Sequence, residues 1–302
     1  MKLGFIGFGG AGHGLAKGLK QAGVDGIHFY DRMQDTPPYA EAIGRRAEEI
    51  GAVRATTVQD LLSRVEIVIS CVTGAMAVSV AKEAAPFLGG RHLWADVNTA
   101  APAVKEEVAG IVEKTGALFA DAAMMGAIPA YLHRVPILAS GTAAEKFQAL
   151  MQPYGMNIRI IGDKPGQASA IKLFRSIFMK GLLSLLLEML TATHRYGVDE
   201  TVLKSIAKSL DGVPFRETAR LQMTKGVVNA ERMAHEMEEV IATLDGMDLP
   251  AEMSRAAREK LLWCAGLRLR ERFGGEPPST LAEVLKEMET VPGGDPPEER
   301  RG

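Results

Sequence analysis

The 302-residue chain is poor in cysteine and has no long apolar run. Its two cysteines, Cys71 and Cys264, could form at most one bridge, and no cysteine spacing typical of a metal site is present. We therefore predict no metal site and expect free thiols in a cytoplasmic protein, because reducing compartments keep thiols unpaired. The longest apolar stretch, Gly181 to Leu187, is far shorter than the roughly 20 residues that span a bilayer, so we predict no membrane segment.

The chain also lacks a marked excess of charge of either sign. Its formal net charge is −2, and charged residues make up 24% of the sequence. Nucleic-acid binding needs a basic surplus that neutralises phosphates, so the composition gives no reason to expect a nucleic-acid partner. The N-terminus has no basic segment followed by an apolar stretch and a cleavage site, and we expect no signal peptide.

The first half of the chain alternates apolar segments with helical ones. The segments predicted as β-strands are 2–6, 26–30, 65–72, 92–96 and 117–121, with 136–139 and 158–161 as later strands of the same domain. The segments predicted as helices are 11–21, 39–50, 76–84 and 103–114. Continuous apolar strands separated by helices are typical of a parallel sheet covered on both faces, so we predict a doubly wound α/β domain of the Rossmann type.

The pattern changes after residue 163, where no further strand is predicted. Residues 167–196 contain no proline and a single glycine, which predicts one helix about 45 Å long. The later segments predicted as helices are 200–210, 214–223, 230–244 and 251–273. We therefore predict a dinucleotide-binding domain over 1–163, an all-α substrate and dimerisation domain over 164–290, and a disordered tail over 291–302, which begins rich in proline and glycine.

A glycine-rich turn follows the first predicted strand. Its residues fit the pattern G-x-G-x-x-G and are Gly7, Phe8, Gly9, Gly10, Ala11 and Gly12. A bare match is weak evidence, but here a strand precedes the motif and a helix follows it directly. The helix N-terminus would then present N–H groups and a partial positive charge to the pyrophosphate of a dinucleotide.

Asp31 lies at the end of the second predicted strand, about 20 residues beyond the motif, where a ribose-binding carboxylate belongs. Such a carboxylate accepts from ribose hydroxyls and repels a 2′-phosphate, whereas the adjacent Arg32 could attract one. We predict NAD as the cofactor, with NADP as the alternative. The competing interpretation is that Asp31 begins a surface turn without a ligand.

Lys172 lies near the start of the long predicted helix. Ser169, Lys172 and Ser176 are spaced i, i+3 and i+7 and share one face. Apolar neighbours would desolvate the amine and lower its pKa, so that it could exchange a proton with a substrate oxygen. From spacing alone a solvated lysine is the commoner case, and Lys180 on the same stripe is a rival.

Together these segments resemble the β-hydroxyacid dehydrogenase superfamily, which includes 3-hydroxyisobutyrate and 6-phosphogluconate dehydrogenases. The matching segments are Gly4 to Gly9 at the opening, Asp96 to Pro102 (D-x-S-T-x-x-P), Asp121 to Ala127 (D-A-P-V-S-G-G) and Gly166 to Lys172 (G-x-x-x-x-x-K). The resemblance covers nearly the whole chain. It implies that Lys172 is the catalytic acid and base and that Thr99 lies near the nicotinamide ribose.

Three departures from the family pattern concern the substrate. Met125 stands where the family has the serine of its substrate loop, and Ala127 replaces the second glycine that follows Gly126. Ser176 replaces an asparagine one turn after the lysine. Methionine cannot donate a hydrogen bond to a carboxylate. We therefore expect Met125, Gly126 and Ala127 to form a more apolar substrate loop.

The segments 172–182 and 232–239 are similar to a less characterised branch, whose C-terminal domain was initially of unknown function. His235 and Glu236 are possible pocket residues there, and a solvated or helix-packing pair is the alternative.

The function implied is hydride transfer between a nicotinamide cofactor and the alcohol carbon of a small molecule. Val72 and Thr73 end a strand at the carboxyl edge of the sheet, where ligands bind in open α/β folds, so we expect them to line the dinucleotide, with Asn98 and Thr99 nearer the nicotinamide. Lys172 would exchange the proton, supported by a hydrogen bond from Ser176.

Two other functions remain open at this point. An imine reductase would suit an apolar pocket, although lysine at 172 speaks against it. A dinucleotide-binding sensor without catalysis is favoured by Met125 and Ser176. The family resemblance also implies a homodimer through the helical domain.

Overall fold

The computed structural model describes residues 2–290 of the chain. Within that range the chain divides into two compact units, on either side of the bond between Phe178 and Met179. The domain boundary predicted near residue 163 stays a prediction; the last β-strand ends at Gly162. The tail predicted over 291–302 lies outside the described residues.

The first unit contains one eight-stranded sheet. Its strands are β1 (Leu3–Ile6), β2 (His28–Tyr30), β3 (Val53–Arg54), β4 (Ile67–Ser70), β5 (Leu93–Asp96), β6 (Leu118–Met124), β7 (Ile137–Ser140) and β8 (Ile158–Gly162). The helices between the strands are α1 (Gly10–Gln21), α2 (Tyr39–Ile50), α3 (Val58–Arg64), α4 (Ala77–Ala84), α5 (Pro102–Glu113), α6 (Ile128–Tyr131) and α7 (Ala144–Met151). Single turns of 3-10 helix lie at Gly74–Met76, Ala85–Phe87, Leu132–Arg134 and Gln152–Tyr154.

The strand order is β3-β2-β1-β4-β5-β6-β7-β8, which confirms the predicted doubly wound α/β sheet. The order reverses between β1 and β4, and ligands bind at such a reversal in open α/β sheets. One feature differs from the parallel sheet that the sequence predicts, because β6 and β7 are antiparallel. The connection from Met125 to Pro136 contains only the short helix α6 and one turn of 3-10 helix.

The central strands are buried on both faces. Leu3 and Phe5 of β1 pack into one core cluster, whereas Ile6 packs into the cluster on the opposite face. Ile69 and Val68 of β4 divide in the same way. Since successive side chains of a strand point to opposite faces, strands covered on both sides need apolar residues at nearly every position, and this explains the continuous apolar runs of the sequence.

The described residues after Gly162 contain helices and no strand. These helices are α8 (Gln167–Tyr196), α9 (Asp199–Leu210), α10 (Phe215–Gly246), α11 (Glu252–Gly266), α12 (Leu269–Arg272) and α13 (Leu281–Glu289). The bounds of α8 are those predicted for the long helix. Within the second unit, the Glu188 carboxylate accepts hydrogen bonds from the backbone N–H groups of Met253 and Ser254, so a side chain of α8 caps the start of α11.

Two predicted helix limits were wrong. The segments 214–223 and 230–244 form the single helix α10, because Val227 and Val228 are buried in the core of the helical unit and offset the low helix propensity of nearby Gly226. The segment 251–273 is broken after α11, where Arg268 adopts a left-handed φ of 54°.

Candidate functional site

The glycine-rich turn joins β1 to α1, and two of its glycines are required by the protein's own backbone. Gly7 has a φ of +92°, and a Cβ atom there would lie 2.2 Å from the carbonyl oxygen of Cys71. A Cβ atom on Gly12 would lie 2.3 Å from the carbonyl oxygen of Gly7. Only glycine therefore permits this turn and the close contact of α1 with the strand ends.

The other two glycines face open space. A Cβ atom on Gly9 or Gly10 would meet no atom of the protein within 4 Å. No side chain caps α1, whose first turn has no acidic residue. Free volume beside an uncapped helix N-terminus fits the pyrophosphate of a dinucleotide, since N–H groups and the helix dipole favour an anion there.

Asp31 follows β2 and lies against the glycine-rich turn. Its carboxylate accepts hydrogen bonds from the backbone N–H groups of Phe8 at 2.6 Å and Met33 at 2.8 Å. An ionised carboxylate has about four acceptor positions, so these bonds leave capacity for ribose hydroxyls. The neighbouring Arg32 forms an ion pair of 3.0 Å with Glu83 of α4.

Asn98 follows β5 and connects it to the end of β4. Its side-chain oxygen accepts from the Val72 N–H at 2.6 Å, and its side-chain nitrogen donates to the Ser70 hydroxyl at 3.1 Å. Asn98 is buried, whereas Thr73 and Thr99 are exposed at the same edge of the sheet. The structure therefore gives Asn98 a structural part in shaping this edge, and its contact with a ligand stays a prediction.

A row of polar side chains crosses four adjacent strands near this edge. Ser70 of β4 pairs in register with Asp96 of β5, which pairs with Asp121 of β6, and Asp121 is opposite Ser140 of β7. All four residues are buried. Polar groups excluded from water need partners, so this row requires an internal hydrogen-bond network.

Lys105 of α5 supplies the cation of that network. Its ammonium group donates to the carbonyl oxygen of Asp96 at 2.9 Å and to the Asp96 carboxylate at 2.8 Å, and it lies 3.2 Å from Oδ1 of Asp121. The side chains of all three residues are fully buried. Sequence reasoning missed Lys105, and the only signal it offered was a lysine within the predicted helix 103–114.

The same row holds the start of α8. Asp121 accepts hydrogen bonds from the backbone N–H of Ser169 at 2.9 Å and from its hydroxyl at 2.7 Å, and the Ser140 hydroxyl accepts from the N–H of Ala168 at 3.1 Å. Gly166 precedes the helix with a φ of +89°. Side chains of β6 and β7 thus satisfy N–H groups that a helix cannot satisfy itself.

Lys172 lies one turn after Ser169, and its amine donates a hydrogen bond of 2.8 Å to the Thr99 hydroxyl. Burial lowers the pKa of this amine from its ordinary value, the charge of Lys105 lowers it further, and the Asp121 carboxylate opposes both effects. An amine with a lowered pKa is a suitable general base near neutral pH. The rival Lys180 is exposed to solvent.

Ser176 does not support the Lys172 ammonium group in the way that the sequence predicts. Its hydroxyl donates to the main-chain carbonyl of Lys172 at 3.0 Å. A serine inside a helix commonly bonds in this way to the carbonyl four residues earlier. The described structure gives Thr99, and not Ser176, as the side-chain partner of the amine.

The predicted substrate loop follows β6. The N–H of Met125 donates to the carbonyl of Pro136 at 2.7 Å, which extends the pairing of β6 with β7 by one residue. Gly126 and Ala127 are exposed, and Met125 is half-buried.

The predicted pocket residues His235 and Glu236 lie in the second unit. His235 lines a surface cavity with Arg232 and Arg270, and Arg232 forms an ion pair with Glu236.

Two kinds of feature are absent from residues 2–290. No group of three or more His, Cys, Asp and Glu side chains there could hold a metal ion. No helix in this range has the length and apolar character needed to cross a membrane.

Comparison with known families agrees with the two-part sequence pattern. Residues 2–162 match the family described as the NAD binding domain of 6-phosphogluconate dehydrogenase. Residues 193–263 match a domain of unknown function (DUF1932).

Solved structures extend this comparison. A conserved hypothetical protein from Sinorhizobium meliloti is 31% identical, with a TM-score of 0.61 and 95% of each chain covered. A conserved protein of unknown function, described as structurally similar to 3-hydroxyacid dehydrogenases, is 33% identical over 88% of this chain and 98% of its own, with a TM-score of 0.59. An imine reductase from Myxococcus stipitatus in complex with NADP+ is 19% identical over 95% of this chain and 100% of its own, with a TM-score of 0.72, and shows a shared fold alone.

These matches confirm the resemblance that the motifs indicate. The fold is an NAD(P)-binding oxidoreductase fold with a helical C-terminal part. The chain belongs to the β-hydroxyacid dehydrogenase-like family that has the NAD binding domain of 6-phosphogluconate dehydrogenase, in the branch with the C-terminal domain of unknown function.

Proposed function

We propose that this protein is an NAD(P)-dependent oxidoreductase that interconverts a small-molecule alcohol and the corresponding carbonyl compound, with Lys172 as general acid and base. The observation that carries the proposal is the hydrogen bond from the Lys172 amine to Thr99. Thr99 follows β5, and the glycine-rich turn follows β1 in the same parallel part of the sheet. Both therefore lie at the edge where the strands of open α/β sheets end and ligands bind.

The proposed chemistry divides between cofactor and protein. When bound, the nicotinamide ring supplies or accepts the hydride. In the oxidation direction, the neutral Lys172 amine takes the proton of the substrate hydroxyl; in reduction, the ammonium group returns a proton to the same oxygen. The lowered pKa of Lys172 raises the fraction of neutral amine at the working pH. The Thr99 hydroxyl orients the amine.

The charges around the adenosine end support NAD as the preferred cofactor. The Asp31 carboxylate lies against the glycine-rich turn and would repel a 2′-phosphate. Arg32, which could attract that phosphate, is paired with Glu83. NADP is the alternative.

The loop of Met125, Gly126 and Ala127 supports a substrate with an apolar part. A thioether offers only a weak acceptor and no donor. The same observation favours imine reduction as a second candidate function, because an imine needs no carboxylate-binding group. The shared fold with the Myxococcus stipitatus imine reductase is compatible with it.

The test begins with calorimetric titration of the purified protein with NAD, NADH, NADP and NADPH. The protein is then assayed against matched panels of alcohols, ketones and imines. We expect Lys172→Ala to bind dinucleotide like the wild type and to lower turnover by about 10²–10⁴-fold, the usual contribution of general acid–base catalysis. Lys180→Ala, which removes an exposed lysine of the same helix, is the matched control and should keep full activity.

Three other results would contradict the proposed function. Turnover of Lys172→Ala within about tenfold of wild type would show that Lys172 is not the acid–base group. Activity on imines alone would favour the second candidate. Tight dinucleotide binding without turnover on any panel would favour a sensor.

We further propose that the protein forms a homodimer through its helical part. The long helix α8 exposes large apolar side chains, including Leu183 at 58% and Leu187 at 61%. Contiguous apolar surface of this kind is typical of an interaction site.

A cytoplasmic location is also proposed, since Cys71 and Cys264 are both free thiols.

A further inference from the structure

Lys105 is a fully buried lysine whose position is set by two acidic residues. Its amine contacts the carbonyl oxygen and the carboxylate of Asp96 and the carboxylate of Asp121, at 2.9, 2.8 and 3.2 Å. The two contacts with Asp96 are hydrogen bonds, and the contact with Asp121 is an ion pair. Because the Lys105 side chain is fully buried among these partners, it acts on the site through its neighbours or through its charge.

Burying the charged side chains of Asp96, Lys105 and Asp121 in the core carries a cost in desolvation free energy. Removing a charged group from water costs several kcal/mol, and apolar side chains of similar volume are often equally stabilising in such places. One carboxylate oxygen of Asp96 is buried without a hydrogen-bond partner. Stability alone is thus a poor account of a lysine at position 105, and its surroundings offer a better one.

Asp121 connects the cluster to the start of α8. One of its oxygens accepts from the Ser169 N–H, and the other accepts from the Ser169 hydroxyl and faces the Lys105 amine. Lys172 is three residues beyond Ser169, on the same face of the helix. The orientation of the Asp121 carboxylate therefore fixes the helical turn that carries Lys172.

We propose that Lys105 is a positioning residue for Lys172, because it holds the Asp121 carboxylate in the orientation that fixes the first turn of α8 and places a second positive charge near the Lys172 amine. Only the consequence for catalysis rests on the proposed function, in which Lys172 is the general acid and base. The charged groups near Lys172 are Lys105 from α5 and Asp121 from β6, with Asp96 of β5 behind them, and Thr99 is its uncharged partner. After burial, Lys105 is the largest influence that lowers the pKa of Lys172, and Asp121 raises it.

The experiment needs no substrate. The full-length protein is labelled with acetic anhydride at a series of pH values, and labelling of Lys172 is followed by peptide mass spectrometry. Only the neutral amine reacts, so the rate at a fixed pH reports its neutral fraction. Lys180 in the same sample is the internal control, because it is exposed and outside the cluster.

The two charge-removing variants have opposite expected effects. Lys105→Met removes the positive charge, so Lys172 should hold its proton more tightly and react about three- to tenfold more slowly near pH 8. Asp121→Asn removes the negative charge, so Lys172 should react faster. General loosening of the structure would expose Lys172 in both variants and move its reactivity in one direction. Lys105→Arg keeps the charge and should stay near the wild-type rate.

The outcomes separate the inference from the proposed function. An unchanged Lys172 rate in folded Lys105→Met, or a change of the same sign in both variants, overturns the role of Lys105. If Lys105→Met does not fold, Lys105→Gln removes the same charge in its place, and an unchanged or faster Lys172 rate in that variant overturns the role. Opposite shifts combined with full activity of Lys172→Ala would keep the positioning role and refute the proposed catalysis.

Discussion

The amine of Lys172 and the hydroxyl of Thr99 are 2.8 Å apart, which links α8 to the loop that follows β5. Thr99→Val removes this acceptor and keeps the shape of the side chain. The protonated amine then loses a partner and the neutral amine loses its orientation, so we expect kcat to fall by about tenfold or more, as for other small misplacements of reacting groups. Thr99→Ser keeps the hydroxyl and should retain most activity. Equal kcat values for Thr99→Val and wild type would remove Thr99 from the site.

The lowered pKa of Lys172 predicts opposite pH profiles for the two directions of the reaction. Oxidation needs the neutral amine as base, so kcat should rise with pH and reach half its maximum below 10.5, the ordinary value for lysine. Reduction needs the ammonium group as acid, so kcat should fall over the same pH range. Steady-state assays in both directions measure this. A half-maximum at or above pH 10.5 would mean that the amine is not perturbed during turnover.

Sequence reasoning predicted elements whose signal is local. The long helix was predicted from Gln167 to Tyr196 because nothing in that segment interrupts a helix, and the glycine-rich turn was predicted because strand, turn and helix are contiguous. The continuous helix α10 was missed because a buried contact of Val227 and Val228 outweighs the local signal of Gly226.

The polar network was missed for a different reason. Asp96, Lys105 and Asp121 belong to a strand, a helix and another strand, and they meet because β5 and β6 pair with Asp96 opposite Asp121. Strand register depends on the packing of whole strands, so no spacing along the chain indicates it. The partner of Lys172 was likewise not evident, because Ser176 is its neighbour on the helix and Thr99 is its neighbour in space.

Substitution of Gly9, which faces open space, should affect dinucleotide binding, whereas substitution of Gly12, which contacts backbone, should affect stability. In Gly9→Val the new side chain enters space that no protein atom occupies, so the unfolding temperature should stay close to wild type. The same side chain would fill the proposed pyrophosphate site, and we expect the dinucleotide Kd to rise at least tenfold, since about 1.4 kcal/mol of lost contact suffices. Thermal unfolding and calorimetric titration measure the two effects.

Gly12→Ala is the matched control for that substitution. Its Cβ atom would lie 2.3 Å from the Gly7 carbonyl oxygen, so the backbone must shift, at a cost of about 1–3 kcal/mol in the free energy of unfolding. Unimpaired dinucleotide binding by a folded Gly9→Val variant would place the cofactor elsewhere.

The ion pair between Arg32 and Glu83 predicts a route to altered cofactor preference. Glu83→Gln frees the guanidinium group and removes a negative charge near the predicted adenosine ribose. We expect the ratio of the NADP Kd to the NAD Kd to fall about fivefold, which corresponds to the ~1 kcal/mol typical of an exposed charge pair. Glu107→Gln, which disrupts the exposed pair with Lys82, should leave the ratio unchanged. Equal ratios in both variants would show that Glu83 has no part in cofactor choice.

The apolar surface of α8 predicts the oligomeric state. Leu183 and Leu187 are four residues apart and share one face of the helix, where each is more than half exposed. Exposure of this apolar face to water is unfavourable, so we expect another apolar surface to cover it. The same face of a second copy is equally apolar and can pair with it in a two-fold symmetric dimer. We expect a mass near twice 32.4 kDa for the wild type by light scattering at micromolar concentration.

The double variant Leu183→Lys and Leu187→Lys should have the mass of a monomer, because two lysines on each copy would bring four positive charges into the interface. Leu150→Lys is the control, since it changes an exposed leucine of α7 in the other unit and should leave the dimer intact. A wild-type mass of one chain would instead mean that the apolar face of α8 is covered by something other than a second copy.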